Sequence, residues 1–290
     1  AGSGATTAAH SNVGIGLSAL SSAHGANNIA IGRGALSNTT DANQVAIGSS
    51  ALEANTSGEK NTAVGYQVLA LNTTGNYNTA MGHHALYNNV DGAHNTAIGY
   101  RALHSLEPAN QGGQNTAIGS QAGYKTSTGH TNVYVGYLAG YELLGGERNV
   151  LIGHEVGRNA TSLNYSTIIG NAAGYNVSGA SEVVYIGRNA GYHVTGNDNT
   201  FIGTSAGIGQ AAATHATQGS VAIGKNAMYY NSTTNYNVAV GESALIGASS
   251  DPWMTGDYNT AVGRQSLADT SSGYGNVAMG YLAGKGVTTG

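Results

Sequence analysis

The sequence predicts an all-β protein, a parallel β-solenoid (β-roll) of about sixteen coils of ~17 residues each. Two observations carry this prediction. A short word of the type Ala-Ile-Gly recurs along the whole chain, and β-branched residues recur at fixed distances before its glycine. A unit this short cannot bury its own apolar side chains, but a stack of such units can.

The glycine of each word anchors the repeat. Nine of the fifteen intervals between anchors are 17 residues, three are 16, and the others are 20, 21 and 22. The repeat leaves no room for a separate domain, so we expect residues 1–290 to form a single array, a fragment of a longer fibre. The anchors are Gly16, Gly32, Gly48, Gly65, Gly82, Gly99, Gly119, Gly136, Gly153, Gly170, Gly187, Gly203, Gly224, Gly241, Gly263 and Gly280.

Three positions that precede the anchor define a short strand and a turn. The residue directly before the glycine is Ile, Val or Met, and the residue three before it is Val, Ile or Thr, in every copy. These two slots are mostly β-branched and are separated by one residue, so their side chains lie on the same side of a strand. This pattern indicates a strand with one buried face, and we expect the two slots to point inward. Asn stands four residues before the anchor in twelve copies, which predicts a turn residue or a ladder of stacked amides.

Two further slots exchange large and small side chains. Where the slot two before the anchor is Ala, the slot four after it is mostly Leu; where the first becomes large, the second becomes Gly. The slot two before the anchor is adjacent to the Ile directly before the anchor, so their side chains point to opposite sides of the strand. Because we expect the Ile to point inward, we expect the large side chains of the other slot to point outward and form an oligomer interface. The alternative is a monomer in which both slots share one core. The candidate interface residues are Tyr134, Leu151, Ile168, Tyr185 and Phe201.

The composition argues against several classes of partner. Charged residues make up only 8% of the chain and the net charge is −4, whereas binding of nucleic acid or anionic lipid needs clustered Lys and Arg. No apolar run approaches the ~20 residues of a membrane span, so we expect no membrane insertion by this segment. The absence of cysteine excludes disulfides and thiolate metal sites.

The adjacent histidines His83 and His84 are the most conspicuous polar pair. They occupy the first two slots after an anchor, where other copies carry variable, mostly polar residues, which indicates exposure. Neighbours in an extended segment point opposite ways, so we do not expect the pair to share a metal ion, and we expect His83 to stack between Tyr66 and Tyr100. No carboxylate pair or triad recurs in register, so we expect no catalytic, cofactor or metal site.

Three long intervals place insertions around residues 107–109, 211–217 and 251–254. Loops on a rigid scaffold are where recognition usually occurs. The alternative is that their apolar side chains pack back onto the solenoid. The candidate ligand-binding residues, in these loops and on a tyrosine-rich surface, are Pro108, Trp253, Met254, Tyr229 and Tyr230.

The words NTAIG (115–119), GNYNTAMG (75–82) and SVAIG (220–224) resemble the head repeats of trimeric autotransporter adhesins and the NTAIG repeats of bacteriophage tail fibres. The resemblance covers essentially the whole chain. It implies a parallel β-roll assembled from three chains, used as an extracellular stalk or adhesive head on a bacterial cell surface or a phage virion. The coils of the adhesin heads are shorter and more uniform.

We therefore expect a non-enzymatic extracellular fibre or adhesin segment whose partners are copies of itself and a cell-surface glycan or protein receptor. One alternative is an ice-binding solenoid, since Thr recurs at Thr62, Thr79, Thr96 and Thr116. Val or Ile fills the same slot elsewhere, which favours an inward face and speaks against this alternative. Another is a phage depolymerase built on a trimeric solenoid.

Overall fold

The computed structural model describes residues 11–22, 25–106, 113–209, 216–230, 232, 234–247, 255–270 and 272–286. The described residues form short strands and turns and contain no helix, so the predicted all-β class is confirmed. The chain divides into two compact units, residues 1–147 and residues 148–290. Each unit is a stack of β-solenoid coils.

The first unit contains eight strands of three residues, one in each coil. They pair in parallel and in register, so that Thr79 lies beside Thr96 and Ala80 beside Ala97. The strands are β1 (Val13–Ile15), β2 (Ile29–Ile31), β3 (Val45–Ile47), β4 (Thr62–Val64), β5 (Thr79–Met81), β6 (Thr96–Ile98), β7 (Thr116–Ile118) and β8 (Val133–Val135).

The second unit repeats this arrangement with eight further three-residue strands in one parallel sheet. Two shorter strands, β10 (Leu163–Asn164) and β12 (Ala180–Ser181), pair separately. The eight strands of the larger sheet are β9 (Val150–Ile152), β11 (Thr167–Ile169), β13 (Val184–Ile186), β14 (Thr200–Ile202), β15 (Val221–Ile223), β16 (Val238–Val240), β17 (Thr260–Val262) and β18 (Val277–Met279).

The anchor glycine ends each three-residue strand with a sharp turn. All sixteen anchors have φ between +123° and +142°, a region that residues with a side chain rarely adopt. A Cβ on Gly99 would also lie 2.4 Å from the carbonyl oxygen of Gly119 in the next coil. Both the turn and the close approach of successive coils therefore require glycine at this slot.

The asparagines form the predicted ladder inside the coils. Asn78 donates from Nδ2 to the carbonyl of Gly92 at 2.8 Å, and its Oδ1 accepts from the backbone N–H of Asn95 at 2.9 Å. The backbone N–H of Asn78 donates in turn to Oδ1 of Asn61. These side chains are fully buried, and the ladder satisfies backbone groups that the turn would otherwise leave unpaired.

The predicted facing of the strands is wrong. The middle residue, two before the anchor, is fully buried in fourteen of the sixteen strands, whereas the Val, Thr, Ile or Met on either side of it points outward. The interior of a coil is narrow and is filled by this middle residue together with the small residue and the Leu that follow the anchor. The β-branched slots form the outer surface of the sheet.

The candidate oligomer interface is therefore also wrong, because all five of its side chains, those of Tyr134, Leu151, Ile168, Tyr185 and Phe201, have no exposed surface. They fill the space left by glycines. A Cβ on Gly207 would lie 2.3 Å from Cδ2 of Phe201, and one on Gly191 would lie 2.5 Å from the ring of Tyr185. The exchange of large and small side chains therefore arises because both slots share one core, as in the alternative interpretation.

The two coils that depart from the size exchange are filled by their neighbours. Gly123 shares its coil with a small Ala117, yet a Cβ on it would lie 2.8 Å from the ring of Tyr134 and 2.9 Å from Cδ2 of Leu103. These two side chains come from the following and the preceding coil. The space beside Gly284 is filled in the same way by the side chain of Leu267 from the preceding coil. Complementary packing therefore extends along the stack as well as across each coil.

Candidate functional site

The outward side of the sheet is an apolar surface, here called the strand face. In each of the two units it consists of the first and third residues of the eight three-residue strands, all of which are Val, Ile, Thr or Met. The side chains are exposed or half-exposed, and the exposed fraction is 36% for Ile98, 40% for Ile118 and 48% for Met81. A solvated sheet face normally carries polar residues, and parallel sheets are usually covered on both faces. An uncharged face of this kind is typical of a surface that another molecule covers.

Tyrosines stand in the slots that flank the strand along the chain. Directly after the anchor lie Tyr66 and Tyr100, each 44% exposed, and two residues before the strand lie Tyr77 and Tyr165, 48% and 49% exposed. Tyrosine is enriched at protein interfaces, because it combines a large apolar body with a polar tip. An apolar centre beside exposed tyrosines has the composition of an interaction surface.

The threonines considered for ice binding lie on the strand face. Thr62, Thr79, Thr96 and Thr116 are direct neighbours in β4 to β7, and all four are exposed or half-exposed. The expectation that their slot points inward is wrong, for the reason given above for the strand facing. The argument against ice binding depended on an inward-pointing threonine slot and therefore no longer applies.

The rings of His83 and His84 lie side by side. Their centroids are 4.1 Å apart, and His83 contacts Tyr66 at 5.0 Å and Tyr100 at 5.6 Å. The predicted position of His83 between the two tyrosines is confirmed, with the rings tilted rather than parallel. The expectation that the two histidines point opposite ways is wrong, because the segment is not extended: His84 has φ +57°.

Burial shapes the electrostatics of this aromatic group. Burial lowers the pKa of His84, and the neighbouring His83 and Arg101 lower it further. Nε2 of His84 lies 2.7 Å from Oε1 of Gln67, while its Nδ1 is buried without a hydrogen-bond partner. Burial, with Arg101 and His84, lowers the pKa of His104 to about 4. The imidazoles of His84 and His104 are therefore neutral at pH 7. The ring of His84 makes tilted contacts with Tyr66 and Tyr87, and the ring of His104 stacks on Tyr87 and Tyr124.

No group of three or more His, Asp or Glu side chains that could hold a metal ion occurs among the described residues.

The candidate loop residues are only partly placed. Pro108, Trp253 and Met254 lie outside the described residues. Tyr229 and Tyr230 are half-exposed, and their rings meet edge to face with centroids 4.4 Å apart. A role for these two tyrosines in binding stays a prediction.

A cleft of about 430 Å³ is the feature that the sequence interpretation missed. It opens where the chain takes 20 residues, not 17, to pass from Gly99 to Gly119, and this long interval was the one signal of it in the sequence. The described lining residues are Asp91, Gly92, Ala93, His94, Gly113, Gln114 and His130. Four of these seven residues, Asp91, His94, Gln114 and His130, have side chains that can form hydrogen bonds.

The chain matches no protein-family model, and no curated protein matches it. Within the described residues, nothing resembles a helix of the length and apolarity that crossing a bilayer demands.

Proposed function

We propose that the chain is a non-enzymatic segment of an extracellular fibre or adhesin, on a bacterial cell surface or a phage virion. It assembles with further copies of itself through the strand face, and three copies is the number that the resemblance of its repeats implies. The proposal gives the chain a structural role, with attachment to a glycan or receptor as its adhesive function.

The observation that carries this proposal is the uncharged strand face. Every coil presents two apolar or Thr side chains at the same place, and no Asp, Glu, Lys or Arg interrupts the series. Burial of an apolar surface stabilises by about 25 cal/mol per Å², so each coil adds to the association energy. A second copy of the same repeat has the matching spacing between coils, which makes it the natural partner.

Light scattering of the folded chain tests this proposal. We expect a mass close to three times the 29.1 kDa of one chain. A mass of 29.1 kDa at micromolar concentration would overturn self-association through this face.

Ice binding is a second candidate, favoured by the outward threonines of β4 to β7. Their hydroxyl and methyl groups repeat at the spacing of adjacent strands, about 4.8 Å, on a rigid sheet. This candidate predicts a chain that exposes the strand face in solution and depresses the freezing point below the melting point. A thermal hysteresis assay on the chain separates the two, because copies that cover the face leave no surface for ice.

A further inference from the structure

The cleft beside the long interval between Gly99 and Gly119 is contributed by three successive coils. Asp91 and His94 come from one coil, Gln114 from the next and His130 from the third. Its volume of about 430 Å³ lies within the range of small-molecule sites.

The walls of the cleft are fixed by backbone hydrogen bonds between coils. The N–H of Gln114 donates to the carbonyl of Ala93 at 3.1 Å, and the N–H of Thr131 donates to the carbonyl of Gly113 at 3.0 Å. His130 also forms a parallel bridge with Glu147 in the following coil. A ligand therefore meets groups that are already in place, which reduces the entropy lost on binding.

Three of the four polar side chains that line the cleft, those of His94, Gln114 and His130, contact neighbouring side chains. The ring of His94 stacks on Tyr77 with centroids 4.8 Å apart and planes 4° from parallel. Nε2 of His130 lies 3.3 Å from a carboxylate oxygen of Glu147. The hydroxyl of Thr131 donates to Oε1 of Gln114 at 3.4 Å, which leaves the amide nitrogen as the donor that Gln114 offers a ligand.

The chemistry of the lining excludes several ligand classes. The described lining contains the carboxylate of Asp91 and no Lys or Arg, so it disfavours phosphates and acidic sugars. It contains no Leu, Ile, Val or Phe, so an apolar ligand would find little to pack against. A lining of four hydrogen-bonding side chains with the small residues Gly92, Ala93 and Gly113 suits a ligand with many hydroxyl groups and short C–H surfaces.

We propose that this cleft binds a neutral pyranose sugar, whose hydroxyls donate to the carboxylate of Asp91 and accept from the amide of Gln114. The inference rests on the proposed function, because it supplies the adhesive ligand of the fibre segment.

Saturation-transfer NMR tests the cleft with the methyl glycosides of glucose, galactose, mannose and N-acetylglucosamine, and with N-acetylneuraminic acid as the anionic comparison. We expect transfer to at least one neutral glycoside and none to the acid. Asp91→Ala and Gln114→Asn should each weaken binding about tenfold, the effect of losing one hydrogen bond to a charged or well-oriented group. Asn is chosen at position 114 because it tolerates the φ of +60° found there.

The matched control is Glu53→Ala, which removes an exposed carboxylate that does not line the cleft. Transfer to none of the neutral glycosides, or equal transfer in the Asp91→Ala and Glu53→Ala variants, would overturn the sugar site. The mass measured on the same samples reports separately on self-association. A multimer that binds no sugar contradicts only the cleft, and a single chain that binds sugar contradicts only the assembly.

Discussion

Phe201 and Gly207 together fill the space that Ala46 and Leu52 fill in another coil. All the side chains concerned are fully buried, and a Cβ on Gly207 would overlap the ring of Phe201. The backbone at the two positions is alike, with φ +62° at Gly207 and +50° at Leu52, so the coil accepts a leucine there once the ring is removed. At the scale of single residues, the interior is one volume with two ways of filling it.

A double substitution tests this exchange. Phe201→Ala alone should destabilise the chain by about 3–5 kcal/mol, because it leaves a cavity. Gly207→Leu alone should destabilise by steric overlap with the ring, and the two together should recover most of the loss. Urea unfolding of the four proteins measures the coupling, and a double variant that shows the sum of both losses would contradict the shared volume.

His104 should make stability depend on pH. Its pKa is lowered to about 4 in the folded chain, mainly by burial, whereas an unfolded histidine has a pKa near 6.5. The unfolded chain therefore binds the proton more readily between these values, so stability is full above about pH 6.5 and falls as the pH drops toward 4. The ring stacks between Tyr87 and Tyr124, so His104→Tyr should preserve the stack and reduce this loss.

Urea unfolding at pH 7 and pH 4.5 measures the effect of His104→Tyr. His154→Tyr is the control for loss of a histidine as such, because the side chain of His154 is 52% exposed. If both variants lose as much stability on acidification as the parent chain, the titration of His104 is not responsible.

At the scale of the repeating element, the coil is held by two ladders, the anchor glycines and the buried asparagines. The glycines allow the coils to approach closely, and the asparagines satisfy the backbone groups of the turns. Where Asn is replaced, the substitute keeps part of the bonding: the hydroxyl of Ser166 accepts from the N–H of Val183 at 3.3 Å.

Asn78 provides a test of the asparagine ladder. Asn78→Leu should leave the N–H of Asn95 buried without a partner, at a cost of about 1–3 kcal/mol. It also removes one of the two amide donors to the carbonyl of Gly92, which keeps its hydrogen bond from Asn89. Asn78→Ser is the matched variant, since serine occurs naturally in this slot and can still accept from the following coil, so its loss should be smaller. Chemical unfolding ranks the two variants, and equal losses would contradict a hydrogen-bonding role for the ladder.

The sequence was sufficient to predict the strands, the anchor glycines and the asparagine ladder, because each depends on the local backbone and recurs at a fixed slot. It did not decide which side of a three-residue strand faces inward, since Val, Ile and Thr suit either face of a sheet. The exchange between Tyr185 and Gly191 contained the answer, because two slots that compensate in volume must share one interior. The cleft could not be predicted, since it depends on side chains brought together from three coils.

At the scale of the whole molecule, repetition of the coil builds an extended surface from two outward side chains per strand. Each coil adds two uncharged side chains, apolar or Thr, to the strand face, and each repeats the flanking slots in which tyrosines are frequent. The long interval before Gly119 interrupts this uniformity and coincides with the cleft. The proposed self-association thus depends on the uniform coils, and the proposed sugar site lies where a long interval interrupts them.

Charges placed on the strand face test the proposed assembly. Ile98 and Ile118 are neighbours in β6 and β7, and their outward side chains contribute to no single-chain core, so Ile98→Glu together with Ile118→Glu should leave the coil intact. In an assembly the two carboxylates would be buried beside apolar side chains, at a cost of several kcal/mol each, which should shift the mass toward 29.1 kDa. Ser57→Glu is the control, because Ser57 is exposed and lies away from the strands. With circular dichroism confirming the fold, a double variant that keeps the mass of the parent assembly would show that another surface joins the copies.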